Sequence, residues 1–452
     1  MPRMPLNSAT CFSQVLFGLA TLLMLGGVLM LGVDARADIP AGFTAIFDGK
    51  SLDGWHGEKT MNPRVLEAKP DAERQQLLAQ WAEQTQAHWR VKDGEIINDG
   101  KGPFLVTDRD YEDYELYLEY RTVPLADSGI YLKDTPQVQI WDVTNVGQFK
   151  QQNYFGSGGL WNNSAGAPGK NPLVLADKPL GQWNTVKIRQ VGARTTVVLN
   201  GQLVVDHAIM ENYWDRKSPL FRKGGIQLQT HGGEIRWRHL AIRELSTDEA
   251  NEVLDQHEKV AYRPLFNGED LQGWTGDRDS YEVVEGAIRC KAGQGGNLLT
   301  EKEYSNFAIR LEFQLPPGGN NGLAIRAPLK GNPAYQAMTE LQVLDTEHPK
   351  YKNIDPRQAH GSAYGMVAAK RGYLRPTGQW NFQQVEVVGS KVYVELNGYP
   401  ILDADLAEVT DYMADSPHPG KDRASGHFGF AGHNDPVSFR NIQVRMLPAT
   451  PK

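Results

Sequence analysis

One phrase occurs twice in this chain. Phe43-Thr-Ala-Ile-Phe47-Asp48-Gly49-Lys-Ser-Leu52-Asp-Gly54-Trp55 returns as Tyr262-Arg-Pro-Leu-Phe266-Asn267-Gly268-Glu-Asp-Leu271-Gln-Gly273-Trp274, with the key residues at identical spacing. The segments that follow keep step. Ser128-Gly-Ile-Tyr-Leu-Lys133 corresponds to Asn321-Gly-Leu-Ala-Ile-Arg326, and Pro136-Gln-Val-Gln-Ile-Trp-Asp142 to Thr339-Glu-Leu-Gln-Val-Leu-Asp345. Gly181-Gln-Trp183-Asn184 matches Gly378-Gln-Trp380-Asn381, and Leu199-Asn200-Gly201 matches Leu396-Asn397-Gly398. A duplication this long restricts the chain to one fold built twice. The copies, 38–246 and 262–448, are too long to be solenoid units and long enough to bury a core each.

Within each copy the pattern is short and alternating. Tyr114-Glu-Leu-Tyr-Leu-Glu-Tyr-Arg and Phe307-Ala-Ile-Arg-Leu-Glu-Phe-Gln read as strands, and Asn-Gly between alternating runs signals hairpins. Many short strands with frequent turns predict an all-β sandwich or jelly roll per copy. One helical pattern interrupts copy one, from Pro70 to about His88, with Ala72, Leu77, Leu78, Trp81, Ala82 and Thr85 on one face. Copy two passes almost directly from Trp274 to Tyr281, so this helix is an insertion. Residues 247–261 read as a polar, helical linker. Trp55, Trp274, Trp183 and Trp380 are expected to anchor cores.

Residues 1–37 carry the marks of an export signal. Arg3 is followed by an apolar run, Val15 to Val33, and by Ala35-Arg36-Ala37, a small-x-small cleavage site. The expected location is secreted or periplasmic. The same run is long enough to hold the chain in a membrane if it is not cleaved. Past it only Cys290 remains, which excludes an internal disulfide. A net charge of −7 argues against a nucleic-acid partner. The expected partner is a carbohydrate; the number of subunits is left open.

Alternation also sorts the side chains. Leu341 and Val343 face the core, so Glu340 and Gln342 face outward. By the same count Arg326 joins them, and copy one presents Tyr131, Lys133, Gln137 and Gln139. Asp142 and Asp345 fall at strand ends, and His231 and His433 in turns before the last strand. Trp161 in a glycine-rich loop and Trp214 with Arg216 in Glu-Asn-Tyr-Trp-Asp-Arg are candidate sugar contacts, as is Gln229 in Gln-Leu-Gln-Thr-His-Gly.

Taken in order, and twice, Phe-Asp/Asn-Gly…Leu-x-Gly-Trp, Ser/Asn-Gly-Ile/Leu…Lys/Arg, Glu/Gln-x-Gln-x-x-Asp, Gly-x-Trp-Asn, Leu-Asn-Gly and the His turn resemble the 3-keto-disaccharide hydrolase family. The resemblance implies concanavalin A-like jelly rolls and cleavage of glycosides whose C3 is a ketone. That ketone acidifies the C2 proton. A base removes it, the C1 oxygen leaves from the enolate, and water adds. The expected base is His433 or His231. Arg326 or Lys133 is expected to stabilise the enolate, or else a divalent metal on Glu340, Asp345 and His433, with Asp142 in the matching place in copy one. Two other readings stay open: a plain glycosidase using Glu340 and Asp345, and a non-catalytic sugar-binding module.

Overall fold

The computed structural model describes residues 39–448; the expected export signal lies outside them. It consists of two antiparallel β-sandwiches with the same topology. Each pairs an eight-stranded sheet with a five-stranded one. In copy one the five-stranded sheet runs Trp55–Glu58, Phe104–Thr107, Gln227–Leu228, Asp127–Leu132, Thr135–Trp141 across its width. In copy two the order is Trp274–Gly276, Gly295–Tyr304, Gly426–His433, Asn320–Ala327, Thr339–Leu344. The all-β, tandem jelly-roll expectation holds.

The repeated opening phrase folds as its residues demand. Asp48 Oδ1 accepts from the Lys50 and Ser51 amides, and Asn267 Oδ1 accepts from Glu269 and Asp270. These side-chain turns lead into buried Trp55 and Trp274, whose indole N–H groups donate to Ile46 O and Leu265 O. Trp183 and Trp380 are not core anchors. They lie half-buried on the outer sheet face, under Arg238 at 4.2 Å and Arg440 at 4.1 Å respectively, in cation–π contact.

The insertion forms a short helix, Pro63–Glu67, and a long one, Asp71–His88. The long helix buries Trp81 and Thr85 and leaves Ala72 and Ala82 exposed, a narrower stripe than the sequence pattern suggests. It packs on strand Trp55–Glu58 at Gly57, where a Cβ would lie 1.8 Å from Thr85 Oγ1.

The linker is a built element. Helix Thr247–Gln256 starts in a capping box between Ser246 and Glu249, and its Ala250 and Leu254 pack with Val191 of copy one and Phe382 of copy two. The copies also touch directly. Arg194 and Glu395 form a two-pronged ion pair, and the Ala193 amide donates to Gly398 O at 3.0 Å.

Candidate functional site

In copy two the outer face of the five-stranded sheet carries the predicted cluster. Leu341 and Val343 are fully buried in the core, while Glu340 and Gln342 line a cavity of about 240 Å³ on the other side. Strand Gly426–His433 ends there, bringing His433 Nε2 to 3.5 Å from Glu340 Oε1. Glu340 can lie flat across the neighbouring strand because Gly322 stands beneath it; a Cβ there would come 2.2 Å from Oε1. Gln342 Nε2 donates to Asn320 Oδ1 at 2.6 Å, and its Oε1 is buried with no protein partner. Tyr335, Tyr351 and Tyr364 complete the wall with Asn332 and Gln358. Glu340 is the one carboxylate among the described residues that line it.

Copy one repeats this scaffold with the charges moved. Gln139 Nε2 donates to Asp127 Oδ1 at 2.9 Å, as Gln342 does to Asn320. His231 Nδ1 lies 3.0 Å from Asp127 Oδ2, which also accepts from Gln148 Nε2 at 2.8 Å. Gln137 takes the place of Glu340 and donates to Gln139 Oε1. Gln229 points into the same area, beside Gly129, with its Oε1 buried and unpartnered. Each copy thus sets one histidine against one carboxylate, on opposite strands: Asp127 in copy one, Glu340 in copy two. The carboxylate raises the imidazole pKa in both places.

Four predicted charges lie elsewhere. Lys133 sits in the hairpin turn with Asp134, both at positive φ, rather than on the strand face. Its Nζ donates to Gly192 O and to Tyr399 OH of copy two, and burial lowers its pKa to about 8. Arg326 also breaks alternation, with φ 50° at a register shift between Ala324 and Ala327. Its guanidinium donates to the carbonyls of Ser305, Gly389 and Arg423. Asp345 Oδ2 accepts from the Gly318 amide at 2.8 Å. Asp142 accepts from Leu125 and Thr144; burial alone would raise its pKa, but these hydrogen bonds outweigh it and hold the carboxyl low. Asp345 is committed to its loop, so Glu340, Asp345 and His433 do not make a metal donor set, and no group of three metal-binding side chains stands together among the described residues.

The remaining candidates spread over copy one. Tyr131 packs with Phe104 and Val106 under Trp214, at the other end of the same sheet face, and its hydroxyl meets Thr60 Oγ1 at 3.2 Å. Trp214 Nε1 donates to Asp134 O. Trp161 stands edge to face with Trp141 at 5.1 Å, and Lys170 Nζ lies 4.5 Å from its ring centre. Arg216 is held by Glu211 and Asn162 O. Sequence reasoning missed Asp127, which lies one residue before a repeated motif, and the cavity tyrosines, which lie in connecting segments (a one-turn helix, a three-ten turn and a turn) too short to show periodicity. The alignment of Asp127-Ser-Gly with Asn320-Asn-Gly was the available signal.

A family model described as the 3-keto-alpha-glucoside-1,2-lyase-like domain matches residues 42–243 and 261–445. The 3-keto-disaccharide hydrolase of Bacteroides thetaiotaomicron is 27% identical over 227 residues, covering 41% of this chain and 78% of that protein. Among solved structures, a candidate glycosyl hydrolase of Parabacteroides distasonis is 24% identical, over 43% of this chain and 97% of its own, with a TM-score of 0.36. A carbohydrate-binding module of Bacillus subtilis is 14% identical, over 38% of this chain and 95% of its own, with a TM-score of 0.28. Matched by that model over nearly all of both sandwiches, the chain belongs to the 3-keto-alpha-glucoside-1,2-lyase-like family and carries its domain twice.

Proposed function

We propose that this protein is an exported enzyme that cleaves 3-keto-glycosides by elimination and hydration. The observation that carries the reading is the histidine–carboxylate pair beside a carboxamide-lined surface, built twice at the same place in the fold. The family and the curated relative support the sugar class.

The chemistry follows from the groups present. A neutral imidazole takes the C2 proton, and the C2–H electrons form the C2–C3 double bond of an enolate. That enolate collapses to a C1–C2 double bond as the C1–O bond breaks, and the departing oxygen takes up a proton. Water then adds across C1 and C2. In copy two Nε2 of His433 faces Glu340, which leaves Nδ1 as the base; in copy one Nδ1 faces Asp127, which leaves Nε2. The expected cation on the enolate is replaced by neutral donors. The carboxamides of Asn320, Gln342 and Gln358 and the tyrosine hydroxyls surround the copy-two cavity, and such donors stabilise an oxyanion in a partly dry site. A plain glycosidase needs a second carboxylate across the bond. Asp345 is turned into its loop and does not provide one.

The test is turnover of a 3-keto-glucoside by the mature chain. His433→Ala and His231→Ala should each lower kcat/KM, and the double variant should abolish it. Full activity in the double variant, or saturable binding without product in the native chain, would refute the reading. Export is tested by N-terminal sequencing of the mature protein, which should begin at Asp38.

A further inference from the structure

Beyond strand Thr135–Trp141, the three-ten segments Val146–Gln151 and Asn153–Phe155 hold a set of rings in solvent. Phe149, Tyr154 and Phe155 are 43, 47 and 38% exposed, yet they are packed on one another. Phe149 meets Tyr154 edge to face at 5.9 Å, and Tyr154 meets Phe155 at 4.7 Å. Exposed Leu175 adjoins them beside Gly156, where a Cβ would lie 3.0 Å from its Cδ1. An ordered apolar cluster left in water marks a binding surface.

Its attachment indicates what binds. Gln148, next to Phe149 on the same segment, donates to Asp127 Oδ2, the oxygen that faces His231 Nδ1. The shelf therefore begins where the copy-one site ends. In copy two the corresponding segment, Pro349–Tyr351, places Tyr351 in the cavity wall instead.

We propose that Phe149, Tyr154 and Phe155 form the aglycone subsite of copy one, which takes glycosides with a flat, apolar aglycone such as an aryl group. The sugar ring lies over Gln137, Gln139 and Gln229, within reach of His231. Leu175, exposed beside the rings at Gly156, extends their apolar surface, which suits a flat apolar group. The walled copy-two cavity takes compact glycosides. This division rests on the reading of both histidines as bases.

The experiment compares phenyl and methyl 3-keto-glucosides of one anomer in a full-length His433→Ala background. A Phe149→Ser/Tyr154→Ser/Phe155→Ser variant should raise KM for the phenyl substrate about tenfold, roughly the loss of one good stacking contact, with kcat and the methyl substrate unchanged. Equal effects on both substrates, or none, would overturn the proposal. So would a change of oligomeric state in the variant, which would make the shelf a self-association surface. Calorimetric binding of unoxidised phenyl glucoside to the native chain and to the shelf variant reads the subsite without turnover: weaker binding by the variant supports it, and equal binding opposes it. Failure of the native chain to cleave either substrate would strike the proposed chemistry and leave that binding result to judge the shelf.

Discussion

Two imidazoles meet their carboxylates through different nitrogens, and this makes their behaviour testable one residue at a time. Glu340 raises the pKa of His433 above its ordinary 6.5. Only the neutral ring can accept the C2 proton, so the copy-two kcat/KM should fall as pH drops through a value above 6.5. Measured in a His231→Ala background, Glu340→Gln should move that limb toward the ordinary value, since it removes the largest cause of the shift. An unmoved limb would assign the titration to another group. The same raised pKa has a consequence for stability. The pair's contribution is complete below the unfolded-state pKa and disappears as pH climbs through the folded-state one, so the Tm gap between native protein and Glu340→Gln should narrow as pH rises past the raised His433 value. At this scale the sequence was informative wherever strict alternation held: Glu340, Gln342, Gln137 and Gln139 all lie on the face it assigned. It failed at Lys133 and Arg326, where left-handed backbone (two consecutive residues at Lys133–Asp134, one at Arg326) redirects the side chain. Period-two counting has no means of registering such a residue.

The elements that position these groups are simple, and glycine decides one of them. Gly322 gives Glu340 the space to cross its neighbouring strand. Gly322→Ala should cost about 1–3 kcal/mol as an overpacking change and should lower copy-two turnover more than Gln342→Asn does, with the circular dichroism spectrum retained. If turnover is unaffected, Glu340 does not act from this position. The linker helix depends on its cap: Ser246→Ala should lower stability by about 1 kcal/mol in a denaturant titration. The strands, hairpins and inserted helix were legible because side-chain period and turn residues report directly on local structure. The cavity wall was not. Tyr335, Tyr351 and Tyr364 reach it from a one-turn helix, a three-ten turn and a turn in three separate connections, and what brings such connections together is tertiary packing, which leaves no local pattern.

For the whole molecule, the two sandwiches are joined as one body rather than strung on a tether. Helix Thr247–Gln256 fills the seam, Lys133 reaches across to Tyr399, and Arg194 grips Glu395. Breaking that pair with Glu395→Ala should cost about 3 kcal/mol, the low end for a buried pair because part of Arg194 remains exposed. It should also split a single calorimetric transition into two; one unchanged transition would mean the seam does not couple the copies. Duplication with a shifted carboxylate gives the molecule two differently poised histidine–carboxylate pairs, each of which we propose runs the same reaction. The most direct measurement of that reaction is cleavage of a 3-keto-glucoside in D₂O, followed by proton NMR at C2. The account predicts deuterium at C2 of the released sugar, lost together with turnover in the His231→Ala/His433→Ala double variant. Cleavage that leaves the C2 proton in place would contradict it.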